Sequence, residues 1–150
     1  YLYSRAKNLG CNKIALGHHY DDVIETILMG MLYSGQYQAM MPKLRSTNFE
    51  GMELIRPMYL IREEDIKAWR DYNGLRFLQC ACKFTQENAL GAQTGNISSK
   101  RLETKNLIAQ LKKTNPQVEK NLFRSTENVV LNKVLGYKVH GEKHTFLEDY

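Results

Sequence analysis

One short stretch constrains the fold of this chain more than any other: Lys13-Ile-Ala-Leu-Gly-His-His-Tyr-Asp-Asp-Val-Ile-Glu-Thr26. Residues 13–17 form a brief apolar run, the pattern of a buried parallel strand. From Asp21 the period changes. Val23, Ile24, Ile27, Leu28, Met31 and Leu32 recur at helical spacing, which predicts an amphipathic helix over residues 22–34. Asp22 followed three residues on by Glu25 reads as a capping box at its start. A strand that turns directly into a helix is the building unit of a parallel sheet, because parallel neighbours need a crossover connection.

The rest of the chain continues the alternation. Residues 1–9 read as the end of a helix stopped at Gly10. Residues 35–52 hold Gly, Pro, Ser and Asn with few periodic apolar positions, and read as a long excursion. Residues 53–57 suit a strand that Pro57 ends. Residues 62–73 are helical, with Glu63, Glu64 and Asp65 in the first turn and Gly74 beyond the end. Residues 75–79 read as a third strand leading into Cys80. A basic helix follows over 98–113, with Leu102, Leu107, Ile108 and Leu111 as its apolar side. Asn115-Pro116 opens another, with Val118, Leu122, Val129 and Val130 facing inward. The tail from Gly136 is polar and lacks a pattern. This order predicts an α/β fold, a Rossmann-like parallel sheet with helices on both faces and a helical C-terminus. Three strands make a thin sheet for that class. The first residue is Tyr and the chain opens inside a helix, so a portion of a longer protein is expected, divided at 1–97, 98–135 and 136–150.

Composition narrows the function classes. Of the 150 residues, 43% are hydrophobic and 25% charged, which suits a globular rather than a disordered chain. No run approaches the roughly 18 apolar residues of a membrane span, and no signal-peptide pattern opens the chain. Three cysteines (Cys11, Cys80, Cys82) do not form a secreted disulfide framework, so a reducing cytoplasm is the expected setting. The net charge of +5 is unevenly placed: residues 1–75 are balanced, and the whole excess lies in residues 76–150. Lys100, Arg101, Lys105, Lys112 and Lys113 share one predicted helix, with Lys120 and Arg124 on the next. That is either a phosphate-backbone surface or a solvated helix face.

Two constellations could do chemistry. Gly17-His18-His19-Tyr20-Asp21-Asp22 sits at the carboxyl end of a strand and the amino end of a helix, where open α/β sheets bind ligands. Adjacent carboxylates can hold Mg²⁺ together with waters and phosphates. Imidazoles can move protons near neutral pH, and glycine lets a ligand approach the backbone. The same residues also suit plain structural duty, Asp22 as a cap and Asp21 beside the helix dipole. In Cys80-Ala81-Cys82 an extended backbone puts both sulfurs on one face. Two thiolates do not complete a zinc shell or hold an iron–sulfur cluster alone, so they are either part of a larger ligand set or ordinary buried cysteines.

Residues 13–26 closely resemble the second signature of the PP-loop ATPases that modify tRNA, and the wider pattern is similar to the tRNA 2-thiocytidine synthetase branch. Met41-Pro42-Lys43-Leu44, Ile55-Arg56-Pro57, Arg62-Glu63-Glu64-Asp65-Ile66, the cysteine segment and Glu127-Asn128-Val129-Val130 follow in the family's order, so the resemblance covers residues 1–133. It implies a fold of the adenine nucleotide alpha-hydrolase type and a reaction in two stages. ATP adenylates a base carbonyl oxygen of tRNA, then a sulfur nucleophile displaces AMP to leave 2-thiocytidine. It further implies that Gly17 and Asp22 bind ATP with its Mg²⁺ and that His18, His19 and Asp21 line the same site. Cys80 becomes a ligand of a [4Fe–4S] cluster. Cys82 is a weaker candidate, since the family's next cysteine comes three residues on rather than two. Lys43, Arg56, Lys100, Arg101 and Lys105 are the candidate RNA contacts. The implied partners are tRNA and a sulfur donor, either a protein or sulfide. A homodimer covering an exposed sheet edge stays open. The family's Ser-Gly-Gly-x-Asp-Ser loop and its Cys-x-x-Cys do not occur in these residues. The expectation is therefore the C-terminal part of such an enzyme, inactive by itself. The alternatives are a tRNA-isoleucine lysidine synthetase chemistry, with lysine as the attacking group, and a non-catalytic tRNA-binding module.

Overall fold

The computed structural model describes residues 1–77 and 100–149. The elements run α1 (Leu2–Asn8), β1 (Lys13–Ala15), α2 (Tyr20–Ser34), β2 (Lys43–Arg45), β3 (Glu53–Ile55), α3 (Glu63–Tyr72), α4 (Lys100–Thr114), α5 (Val118–Ser125), β4 (Gly136–Val139) and β5 (Glu142–Thr145). Short 3₁₀ turns at Leu131–Lys133 and Phe146–Asp149 flank the last two strands.

The predicted β1–α2 step is present. β1 pairs in parallel with β3, Ile14 opposite Leu54, and Ile14 is buried. The ladder continues past both strands, with Leu16 N–H donating to the Ile55 carbonyl at 2.9 Å. On its other side β3 pairs antiparallel with β2, Leu44 opposite Leu54. The sheet is therefore mixed, in the order β1-β3-β2, and β2 lies inside the stretch predicted as a loop. Lys43-Leu44-Arg45 carries one apolar residue and all three positions are exposed, so no period marks it. Residues 75–77 do not form the third strand predicted there. The remainder of that strand, with Cys80 and Cys82, lies outside the described residues.

Helix α2 begins at Tyr20 with His19 as its cap residue, two positions earlier than the periodicity predicts. The capping contact consequently shifts. Asp22 occupies the third helical position, and its Oδ2 accepts the His19 backbone N–H at 3.0 Å. Glu25 plays no part in the cap and is buried. Gly35, at φ +60°, takes the left-handed conformation that ends the helix.

The core lies between α2 and the C-terminal helices. Val23, Ile24 and Ile27 are at most 1% exposed. Ile24 and Leu28 pack on Ile108 of α4, with Tyr20, Leu107, Leu122 and Phe123 around them. Burying each large aliphatic chain contributes about 1.5–3 kcal/mol. Met31 and Leu32, on the same predicted stripe, are half-exposed, because this described packing ends at Leu28. Val129 and Val130 also remain exposed, beyond the end of α5. The tail predicted to lack pattern forms a β4–β5 hairpin instead, turned by His140 and Gly141, both at positive φ. Among the described residues no helix is long and apolar enough to cross a membrane.

Candidate functional site

The turn from β1 to α2 places its polar residues at the carboxyl edge of the sheet. A Cβ added at Gly17 would meet only the Met58 Cε, at 3.7 Å. The fold therefore leaves room for a side chain at 17, and a bare backbone there favours ligand approach. The side chain of Arg56, from the end of β3, reaches across. Its Nε donates to His18 Nδ1 at 3.3 Å and its Nη1 to the Met41 carbonyl. With Nδ1 accepting, the proton of neutral His18 sits on Nε2.

Asp21 and Asp22 point into different networks. Asp21 Oδ2 accepts the Glu63 backbone N–H at 2.8 Å, and Oδ1 faces Arg62 at 3.4 Å. Asp21 thus caps α3 from another element, answering a free N–H and the positive helix end together. Asp22 Oδ1 accepts from Arg101 at 2.6 Å, and the same guanidinium lies 3.7 Å from Glu25. The His19 ring lies between the carboxylates, Nδ1 3.7 Å from Asp21 and Nε2 3.4 Å from Asp22. His19 Nδ1 is buried without a hydrogen-bond partner.

Opposite charges from α4 and α5 close over this turn. Lys105 pairs with Glu63 at 2.7 Å, and Lys67 reaches the same carboxylate at 2.8 Å. Their hydrogen bonds hold the Glu63 carboxyl down at about 2. Glu119, buried on α5, receives Arg62 and Lys112. Burial opposes ionisation of Glu119, but the two cations outweigh it and its pKa falls. Glu25 goes the other way: burial raises it, against the pull of Arg101 and Lys105. The Arg62 guanidinium also stacks over the Tyr20 ring, 4.9 Å from its centre.

The structure thus brings Gly17, His18, His19, Asp21 and Asp22 to one edge and sets Arg56 and Arg101 against them. Of the candidate RNA contacts, Arg101 and Lys105 turn inward onto carboxylates. Lys43 pairs with Glu53 at 3.1 Å, and Lys100 lies over the Tyr33 ring at 4.9 Å. Arg62 and Glu63 stand in the sequence reading only as part of the Arg62-to-Ile66 motif and not as site residues, and Glu119 is absent from it. A carboxylate at 119 within the apolar side of a helix, next to Val118 and three residues before Leu122, was the available signal. Among the described residues no group of three or more His, Cys, Asp or Glu side chains converges to hold a metal.

The PP-loop domain family matches residues 1–85, the span that contains this turn. The chain belongs to that family. A tRNA-cytidine(32) 2-sulfurtransferase of Syntrophotalea carbinolica is 38% identical over 128 residues, 85% of this chain and 46% of the relative. The protein of the same name from Anaeromyxobacter dehalogenans is 39% identical over 139 residues, 93% of this chain and 44% of that one. The chain therefore spans about half the length of the curated relatives it matches. Among solved structures, the U34-tRNA thiolase NcsA from Methanococcus maripaludis with its [4Fe-4S] cluster aligns with a TM-score of 0.59 at 19% identity. That alignment covers 84% of this chain and 39% of the thiolase, and it establishes a shared fold. Within the matched span, the acid pair lies at the carboxyl edge of the sheet, the edge at which open α/β folds bind ligands.

Proposed function

We propose that the protein to which this chain belongs thiolates a cytidine of tRNA, using ATP to activate the base oxygen. The observation that carries this reading is the open Gly17 turn, with Asp21 and Asp22 beside it, in a PP-loop domain whose relatives are tRNA-cytidine(32) 2-sulfurtransferases. The donor set suits a metal-bound triphosphate. Hard carboxylate oxygens are present for Mg²⁺, Arg56 and Arg101 supply positive charge, and His19 Nδ1 is an unanswered polar atom at the site.

ATP supplies the adenylyl group that turns the base oxygen into a leaving group. Asp22 would hold the nucleotide's Mg²⁺, and Arg101, half-exposed beside it, would offer positive charge to the phosphates. Asp21 keeps the start of α3 fixed against the turn. His18 offers an Nε2 proton at the same edge. In this reading residues 1–97 carry the adenylation chemistry, residues 98–135 brace it and residues 136–150 form an appendage. Cys80, with Cys82 as the second candidate, would help to hold a [4Fe–4S] cluster, which would supply an iron site for the sulfur of a donor protein or sulfide in the cytoplasm. Lys43, Arg56, Lys100, Arg101 and Lys105 remain candidate RNA contacts. A second copy of the protein covering the sheet edge is compatible with this reading.

The test is nucleoside mass spectrometry of tRNA incubated with the full-length protein, ATP, Mg²⁺ and sulfide. Wild type should yield 2-thiocytidine, and Asp22→Ala should reduce it at least about a hundredfold. Thiolation at the wild-type rate in that variant reduces Asp22 to a helix cap. Consumption of lysine in place of sulfide replaces the thiolation reading.

A further inference from the structure

Beside the acidic turn lies a second concavity that the chemistry above does not use. It occupies about 350 Å³ between residues 37–42, Tyr59 and the end of α5, within the roughly 300–1,000 Å³ range of small-molecule sites. Tyr37, Met41, Tyr59, Phe123 and Val129 form its apolar walls, and among the described residues no lysine or arginine lines it. Glu127 stands among these walls, exposed, with no ion-pair partner among the described residues. The floor is held in place: Tyr59 Oη donates to the Met40 carbonyl at 2.6 Å, and Arg56 donates to the Met41 carbonyl. The wall also joins the acidic turn. The Phe123 ring lies 5.1 Å from that of Tyr20, the residue before Asp21, and 5.9 Å from that of Tyr59.

Aromatic walls whose described lining holds no cation, with Arg56 engaged behind the floor, suit a flat, neutral heterocycle rather than a phosphate. Enzymes that modify a base take it out of the stack and hold it between aromatic and apolar side chains. A carboxylate accepts a hydrogen bond from the exocyclic amine of cytosine, whereas uracil offers a carbonyl oxygen at that position and is repelled. We infer that this cavity receives the extruded cytosine of the tRNA substrate, stacked on the aromatic wall, with Glu127 accepting from its amine. The inference rests on the tRNA-cytidine reading above and adds to it the residues that choose the base.

The experiment compares tRNA transcripts carrying cytidine or uridine at the target position, with the full-length protein and nucleoside mass spectrometry as the readout. Wild type should favour cytidine. Glu127→Ala should lose about tenfold in kcat/KM on the cytidine transcript and most of the cytidine-over-uridine ratio. Its tRNA Kd should stay within about twofold, because phosphate contacts dominate affinity. Tyr37→Ala, at a half-exposed position, should lower the rate on both transcripts about tenfold and leave the ratio intact. Wild-type rates and ratio in both variants overturn the cavity assignment while the thiolation reading stands. A wild-type protein that adds sulfur to neither transcript removes the thiolation reading and this assignment together.

Discussion

Two basic regions of this molecule handle their charge in opposite ways. On α4, Arg101, Lys105 and Lys112 each meet a carboxylate from α2, α3 or α5. In the hairpin, Lys138 and Lys143 stand directly opposite one another across β4 and β5. Neither has an ion-pair partner among the described residues. The first region uses cations to fasten a helix layer over an acidic turn; the second tolerates repulsion. A basic run in a sequence therefore says little by itself about whether the charge is available to a polyanion.

The largest effect expected from this contrast is on the α4 side. Glu119 is buried and answers both Arg62 and Lys112. Glu119→Ala leaves the mostly buried Arg62 guanidinium with Asp21 as its one ion-pair partner among the described residues, beside the Tyr20 ring, and should cost about 2–3 kcal/mol in urea unfolding. A loss under about 0.5 kcal/mol would mean that the clamp behaves like any surface pair. Joining Arg62→Met to Glu119→Leu should recover part of the loss, since a matched apolar pair needs no charge partner.

How much of this could be read from sequence depends on how local the cause is. The β1–α2 turn was legible because a short apolar run and a 3.6-residue period both lie within 25 residues. Helix α4 was legible from its own apolar side, and α3 from its acidic first turn and the closing Gly74. Strand β2 was not: Lys43-Leu44-Arg45 becomes a strand only by hydrogen-bonding to β3. The hairpin was missed because each strand's partner is the other strand, and its turn uses His140-Gly141 rather than a stronger signal such as Asn-Gly. The residues of the acidic turn were legible as a group, but their partners were not. Arg62 lies 57 positions from Glu119, and Arg101 lies 79 from Asp22. Cys80 and Cys82 fall outside the described residues.

A smaller effect should appear on acidification. Lys105 and Lys67 hold Glu63 at about 2, below its ordinary 4.5, so the folded state favours the charged form. The stability this contributes is fully present above pH 4.5 and is lost as the pH falls from about 4.5 towards about 2. Because the pair is partly solvated, the loss should be about 1 kcal/mol. Glu63→Gln should flatten that part of the stability–pH curve. An unchanged curve would show that Lys105 and Lys67 give the carboxylate no net support.

The smallest effect is the one that separates the two regions most cleanly, because its sign reverses between them. Going from about 0.01 M to about 1 M salt shortens the Debye length from roughly 30 Å to 3 Å. Screening weakens attraction and repulsion alike. The α4 clamp should therefore loosen, while the hairpin, relieved of the Lys138–Lys143 repulsion, should tighten by about 0.2–1 kcal/mol. Amide hydrogen exchange reads both in one sample, as falling protection in α4 and rising protection in β4 and β5. Lys143→Glu replaces repulsion with attraction and should turn the hairpin's salt response to the sign of the clamp's. If the wild-type hairpin instead loses protection with salt, a favourable charge contact outweighs the lysine pair, and the two regions are not opposites.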